Sequence, residues 1–235
     1  MRIAVVSDIH GNLTAFEAVL ADLRETSPDL ILHGGDLVSG GANSPEIVDR
    51  IRDLGWAGVL GNTDEMMFRP ESVTEFLKHE AVAAVVQEVA AVERGWLGEE
   101  RIAWLHGLPF RQVHDSMALV HASPESCWHS PMPEATDWEL KEAYLPLGKP
   151  VAVYAHVHRP FVRTVSAMTV VNTGSVSMPH DGDRRASYLL LDDGNAEIRR
   201  VEYDVDRELK ALAGCRLPHA DWIARILVSG RPQMP

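Results

Sequence analysis

The chain has 235 residues, of which 46% are hydrophobic and 24% charged, a composition typical of globular proteins. Its 34 acidic and 22 basic residues leave a formal charge of -12, which argues against duplex nucleic acid as a partner because such binders carry a basic stripe. No apolar run approaches the roughly 20 residues of a membrane span, and the sequence does not begin with a signal-peptide pattern. We therefore expect a cytoplasmic protein with one domain over residues 1–235 and no membrane partner.

The first quarter of the sequence alternates between apolar runs typical of buried strands and segments with helical spacing. Strands are predicted at 3–6, 30–32 and 56–60, and helices at 13–23 and 44–54. This alternation is typical of a parallel sheet with helical crossovers.

The middle of the chain, residues 72–105, has helical spacing with breaks at Gly95 and Gly98, and short strands follow. Two helices are predicted at the end, at 207–213 and 221–228. The later strands are predicted at 117–120, 151–154, 161–165, 168–171, 186–191 and 196–203.

Five of the predicted strands end at side chains that can bind a metal ion. Because ligands bind beyond the carboxyl ends of strands in α/β sheets, we expect these side chains to meet at one edge. Two carboxylates, one amide and four imidazoles suit Mn above all, with Fe, Zn, Co or Ni as alternatives. Seven such ligands are enough for two divalent ions about 3.5–4 Å apart. The seven are Asp8, His10, Asp36, Asn62, His121, His156 and His158.

Single members of this set have ordinary structural interpretations. Asp8 could cap a helix, Asp36 could form a turn, and His121 could be a hydrogen-bonded core residue. His156 and His158 are two residues apart at the end of a strand, so they would point the same way. Packing explains that pair less easily, and the joint pattern favours a metal site.

Five sequence blocks resemble the motifs of calcineurin-like metallophosphoesterases. SDIHGN, GDLV, GNTD, LVHA and AHVH are similar to the D-x-H, G-D, G-N-H, H and G-H-x-H motifs, in the family's order. The later NTGSV, at 172–176, is similar to a block of the small bacterial and archaeal phosphodiesterase branch. The resemblance implies an α/β fold, a four-layer α/β-β/α sandwich of two mixed sheets, with a dimetal site between the sheets.

The resemblance also implies how the ligands divide between two ions. Asp36 would bridge the ions, Asn62 would also contact substrate, and a hydroxide held between the ions would attack a small phosphate ester, a diester more than a monoester. One ion would be held by Asp8, His10, Asp36 and His158, and the other by Asp36, Asn62, His121 and His156.

The sequence departs from the family at Thr63, where a histidine usually assists the leaving group. A threonine hydroxyl is too weak an acid for that role near pH 7. The substrates could need no strong acid, the chemistry could be lost, or His33, His129 or His180 could replace the acid. We assign catalytic roles to Asp36, Asn62 and Thr63, and to Asp64, which could orient a metal-binding histidine or cap a helix.

Two further segments are candidates for substrate contacts. Asn172 and Ser175 could bind a phosphate or leaving group, or could form a tight turn between strands. Trp128 and His129 lie in the proline-rich stretch 124–133, which could be a substrate lid or a plain surface loop.

Other functions of the same fold remain as alternatives. Protein phosphatases carry G-D-x-V-D-R-G, but residues 35–41 lack the Asp-Arg pair, and a phosphomonoesterase stays possible. A non-catalytic metal-binding scaffold, as in a retromer subunit of this fold, is disfavoured because all seven ligand positions are filled. A homo-oligomer is possible.

Overall fold

The computed structural model describes all 235 residues and contains two five-stranded sheets with helices on their outer faces. The strands are β1 Arg2–Val6, β2 Leu30–His33, β3 Ala57–Gly58, β4 Arg111–His114, β5 Met117–Val120, β6 Val151–Tyr154, β7 Phe161–Val165, β8 Met168–Asn172, β9 Ala186–Asp192 and β10 Asn195–Val201. The helices are α1 Leu13–Thr26, α2 Ser44–Leu54, α3 Asn62–Glu65, α4 Ser72–Phe76, α5 Glu80–His106, α6 Asp137–Tyr144, α7 Val205–Gly214 and α8 Ala220–Ser229.

Both sheets mix parallel and antiparallel pairs. The first has the order β10-β9-β1-β2-β3, and its β1, β2 and β3 run parallel. The second has the order β4-β5-β6-β8-β7, and its β5, β6 and β8 run parallel. The carboxyl ends of the parallel strands in each sheet therefore lie at one edge.

The sheets pack face to face because their strands alternate in the direction of their side chains. Ile3 and Val5 of β1 join Val153 of β6 in the core between the sheets. Ala4 and Val6 face the other way and pack against α1, α2 and α5. Helix α6 covers the outer face of the second sheet. This arrangement confirms the predicted four-layer sandwich of two mixed sheets.

Several element boundaries differ from the prediction. Strand β3 has only two residues, because the Leu60 N–H donates to the Pro109 carbonyl (2.8 Å) and the chain leaves the sheet. Helix α5 has non-helical φ and ψ at Gly98, as expected, but continues through Gly95. Strand β4 and helix α6 were not predicted.

The C-terminal helices α7 and α8 pack in one apolar cluster with Val89 of α5 and with Met178. Their packing joins the end of the chain to the helical layer of the first sheet. No helix combines the length and the apolar composition needed to cross a bilayer. A single domain over residues 1–235 stays a prediction.

Candidate metal centre

All seven sequence-predicted ligands lie together where the two sheets end. Their loops follow β1, β2, β3, β5 and β6, the strands that run parallel to their neighbours. Ligand atoms of the side chains fall into two groups, each with its atoms within 4.8 Å of one another, and Asp36 belongs to both. One group contains Asp8, His10, Asp36 and His158, and the other contains Asp36, His121 and His156.

Asn62 completes the second group from the first residue of α3. Its Oδ1 lies 3.0 Å from Nε2 of His121 and 2.8 Å from Nδ1 of His156. An amide oxygen and two imidazole nitrogens this close together could bind the same borderline divalent ion.

Three of the four imidazole rings are fixed by backbone carbonyls. In each, Nδ1–H donates to a carbonyl, so that Nε2 faces the site and carries the lone pair in the neutral form of the ring. The pairs are His10 with Ser39 (2.8 Å), His121 with Gly34 (2.7 Å) and His158 with Met178 (2.6 Å).

The donor set fits a cation. With both Nδ1 atoms donating, neutral His10 and His158 would bring two Nε2 lone pairs to 3.2 Å from each other. Oδ1 of buried Asp8 has no hydrogen-bond partner, although it lies 3.0 Å from Nε2 of His158 in a geometry unsuited to one. A positive charge between the groups relieves this arrangement. It can be a proton, because against the effect of burial the Asp8 carboxylate raises the His158 pKa. It can also be a bound cation, and two carboxylates with four imidazoles are suited to divalent metal ions.

Burial and mutual charge shift the pKa values in this centre in opposite directions. Burial opposes ionisation of Asp36, but His121 and His10 outweigh it and hold the Asp36 pKa well below its usual range. Burial also disfavours the charged form of His121, yet the Asp36 carboxylate raises the His121 pKa to about 9. For His156, burial and the nearby His121 lower the pKa to about 4.

Five of the seven ligands have left-handed backbone conformations. Few non-glycine residues adopt positive φ, and they concentrate at functional sites. Aspartate tolerates this conformation better than most residues, which suits it to the turn after a strand. The φ values are 55° at Asp8, 47° at His10, 52° at Asp36, 65° at His156 and 56° at His158.

Thr63 and Asp64 support the Asp36 loop through hydrogen bonds. The Thr63 N–H donates to Oδ1 of Asp36 (2.9 Å), while its hydroxyl donates to the Val38 carbonyl (2.9 Å). The Asp64 carboxylate accepts from the N–H groups of Asp36 (2.9 Å) and Leu37 (2.9 Å). Asp64 also accepts from the N–H of Gly61 (3.1 Å), the N-cap residue of α3, so it caps this helix and supports the loop of a ligand rather than a histidine ring. Burial, reinforced by the Asp36 charge, raises the Asp64 pKa to about 7.

The side chains of Asn172 and Ser175 bond to the backbone and do not line the cleft, so a substrate contact by either residue stays a prediction. Both are fully buried. The Asn172 Nδ2 donates to the Ala155 carbonyl (2.6 Å), beside His156, and the Ser175 hydroxyl donates to the Asp8 carbonyl (2.9 Å). Their role in this structure is to fix two ligand loops.

The three histidines considered as replacement acids lie in different places. His33 is buried, neither ring nitrogen has a partner, and burial lowers its pKa to about 3. The ring of His180 stacks on that of His158, with 4.7 Å between the centroids. Burial together with the His158 charge lowers the His180 pKa to about 3. His129 is exposed, and its ring packs edge-on with that of Phe76, with 5.0 Å between the centroids. Of these, His129 and His180 line the cleft beside the metal centre.

Trp128 is an ordered wall of this cleft. Its Nε1–H donates to the Glu65 carboxylate (2.5 Å), and its ring stacks on Phe76 at 5.2 Å. The indole is only 8% exposed. The stretch 124–133 is therefore anchored through Trp128, on the side of the cleft.

Glu93 is a supporting residue that the sequence analysis missed. Its fully buried carboxylate accepts from the N–H groups of Ser39 and Gly40 (2.8 Å each) and from the Ser44 hydroxyl (2.6 Å). Ser39 in turn holds the His10 ring through its carbonyl. Burial raises the Glu93 pKa to about 7 against these hydrogen bonds. The sequence signal was a charge in the apolar stripe of α5, four residues after Val89.

Comparisons with known proteins place the chain in a family. Residues 1–195 match the model of the calcineurin-like phosphoesterase superfamily domain. The chain is 32% identical to an uncharacterised protein of Methanocaldococcus jannaschii, over 97% of this chain and 98% of that one. It is 27% identical to phosphodiesterase YfcE of Escherichia coli, over 82% and 88% of the two chains.

A solved structure extends the likeness to three dimensions. The crystal structure of a metallophosphoesterase from Sphaerobacter thermophilus superposes with a TM-score of 0.79 and 26% identity, over 98% of this chain and 99% of that one. The family model covers most of the chain, and the sheets carry a buried Asp/His cluster at their common edge. The chain belongs to the calcineurin-like phosphoesterase superfamily.

Proposed function

We propose that the chain is a divalent-metal-dependent phosphodiesterase that hydrolyses a small phosphate ester. The observation that carries the proposal is the position of Asp36 in both groups of ligand atoms. One carboxylate shared by two groups is the arrangement that holds two ions close together. The likeness to phosphodiesterase YfcE supports a diester over a monoester.

The ligand set would hold two divalent ions, with manganese as the first expectation. When bound, such ions lower the pKa of a water molecule and neutralise charge on phosphoryl oxygens. The chain supplies the geometry: backbone carbonyls hold the rings of His10, His121 and His158 with Nε2 toward the site. Rings held in this way lose little conformational entropy on binding.

Asn62 is the residue best placed to contact both a ligand group and the substrate. Its Oδ1 faces His121 and His156, and its side chain lines the cleft. The NH2 group at the other end of the amide can donate to a phosphoryl oxygen. Asn62 therefore orients the ester relative to the ligand set.

The leaving group receives no proton from residue 63. The Thr63 hydroxyl already donates to the Val38 carbonyl. Hydrolysis adds a water oxygen to phosphorus, breaks the bond to the leaving oxygen and yields a phosphomonoester and an alcohol. Without an acid at this position, esters of weakly basic leaving groups such as phenols are favoured.

A substrate panel tests the proposal. Protein loaded with Mn²⁺ is compared on aryl diesters, aryl monoesters, cyclic nucleotides and dinucleoside tetraphosphates. We expect the highest kcat/KM for an aryl diester and loss of that activity in Asp36→Asn. Absence of hydrolysis in the whole panel, with each of Mn, Fe, Co, Ni and Zn, would favour the metal-binding scaffold instead.

A further inference from the structure

We infer that the cleft beside the metal centre is a specificity pocket for an apolar substituent, about the size of an aryl ring, on a singly charged phosphodiester. This inference rests on the proposed function and names its substrate class. The cleft has a volume of about 320 Å³ and begins at the ligands His10, His156 and His158. It continues away from them along a wall of apolar side chains.

The wall is built from separate parts of the chain. Val86 and Val89 come from α5, and Ile223 and Ile226 come from α8. Met178, whose carbonyl holds the His158 ring, packs in one apolar cluster with Val89, Ile223 and Ile226. An apolar group bound here would therefore lie next to the ligand set, where the phosphate of the ester would bind.

Aromatic side chains form the other part of the wall. Phe76 and Trp128 stack with 13° between their planes, and the hydrogen bond to Glu65 fixes the indole. Flat, fixed aromatic surfaces favour a planar apolar group through offset or edge contacts. Phe76 is only half-buried, so part of its ring is free to make such a contact.

Charge distinguishes this pocket from a nucleotide-polyphosphate site. No Lys, Arg, Asp or Glu side chain lines the cleft. Additional phosphates beyond the metal centre would therefore lie against uncharged walls, where an unpaired charge costs free energy. A single anionic phosphate with an apolar substituent avoids this cost.

The cavity volume fits a compact substituent. Ligand pockets in proteins span about 300–1,000 Å³, so this cleft lies at the small end of the range. Burial of a phenyl ring in place of a methyl group removes roughly 100 Å² more apolar surface from water, which corresponds to at least about ten-fold in affinity.

Binding of non-hydrolysable probes tests the inference separately from catalysis. Phenyl(methyl)phosphinate and dimethylphosphinate are both monoanionic diester mimics without an ester bond. Isothermal titration of the metal-loaded protein should give a Kd at least about ten-fold lower for the phenyl compound. Equal affinities for the two probes would overturn the inference.

Two variants on the same helix test whether the phenyl preference arises in the cleft. Val86→Asn places a polar group on the wall, whereas Val85→Asn changes the neighbouring, similarly buried valine that does not line the cleft. We expect Val86→Asn to reduce the phenyl preference at least about three-fold and Val85→Asn to leave it intact. Leu77→Asn, on the α4 side of the wall, serves if Val86→Asn does not fold.

The outcomes separate the inference from the proposed function. A phenyl preference that falls in Val86→Asn but not in Val85→Asn supports the pocket, even if no ester in the panel is hydrolysed. Hydrolysis of aryl diesters with no phenyl preference in binding would leave the phosphodiesterase proposal standing and refute the pocket. Equal losses in the two valine variants would also refute it.

Discussion

The Nε2 atoms of His10 and His158 lie 3.2 Å apart, while Nδ1 of each ring donates to a backbone carbonyl. In the neutral form, neither Nε2 can donate to the other. The backbone therefore holds two acceptors together in a buried place, and this arrangement is stabilised by a proton on one ring or by a cation bound between them.

Metal ions should stabilise the fold for this reason. A ligand at 100 times its Kd adds about 2.7 kcal/mol to the free energy of unfolding, so saturating Mn²⁺ should raise Tm by several degrees over EDTA-treated protein. Scanning calorimetry measures the shift, and metal analysis should find two ions per chain. His10→Asn, which keeps a residue tolerant of positive φ, should reduce the shift. An identical Tm with EDTA and Mn²⁺ would contradict the site.

Asp36→Asn should abolish hydrolysis without unfolding the chain. Asparagine tolerates φ near 52° and retains an oxygen for the Thr63 N–H, but it removes the shared negative charge. We expect kcat/KM for bis-p-nitrophenyl phosphate to fall at least about 100-fold, with an unchanged circular dichroism spectrum. Asp53→Asn, at an exposed position on α2, is the control.

His156→Asn should have a similar effect on activity. Alanine at this position would add a backbone cost of about 1–2 kcal/mol at positive φ, so asparagine isolates the loss of the imidazole. Full activity in either the His156 or the Asp36 variant would refute the ligand assignment.

Thr63 should contribute stability rather than acid catalysis. Thr63→Val removes the hydroxyl donor to the Val38 carbonyl and should lower the free energy of unfolding by about 1 kcal/mol. The pH profile of kcat should keep its shape. Thr63→His should retain two bound ions, because the backbone N–H, not the side chain, contacts Asp36. A lost limb of the pH profile in Thr63→Val would show that the hydroxyl takes part in proton transfer.

Glu93 should make the protein less stable as pH rises. Burial raises its pKa from 4.5 to about 7, so between these values the folded chain holds a proton that the unfolded chain releases. The stabilisation is fully present below pH 4.5 and is lost as pH rises through about 7. Urea unfolding at pH 5 to 8 should show the wild type losing stability relative to Glu93→Gln, whereas Glu99→Gln, exposed on the same helix, should follow the wild type. A pH-independent difference would contradict this pKa.

The sequence predicted the ligand set because strand ends are visible in an apolar pattern. His121 directly follows the buried run of β5, and His156 and His158 follow β6. Parallel pairing then brings these ends to one edge, where the structure places them.

The supporting contacts could not be predicted in the same way. Most of the groups that orient the rings are backbone carbonyls, such as that of Ser39, and any residue type supplies a carbonyl. Asn172 has the polarity of a substrate-binding residue, and only its burial and its bond to the Ala155 carbonyl reveal the supporting role.

The missed helix α6 had a local signal. The Thr136 hydroxyl accepts from the Glu139 N–H, and the Glu139 side chain accepts from the Thr136 N–H, which together form a capping box. The prolines around this segment favoured a loop over a helix in the prediction. Strand β3 was predicted too long because Val59 and Leu60 are apolar but buried outside the sheet.

Helix α5 contributes both to the wall of the cleft and to the contacts that position His10. Val86, Val89 and Glu93 are spaced three and four residues apart, so they lie on one face of the helix. At one end of this face is the cleft wall, and at the other is the carboxylate that holds Ser39, whose carbonyl aligns His10. A shift of this helix would displace both at once, so a bulky group that tilts α5 would misalign a metal ligand as well as crowd the pocket.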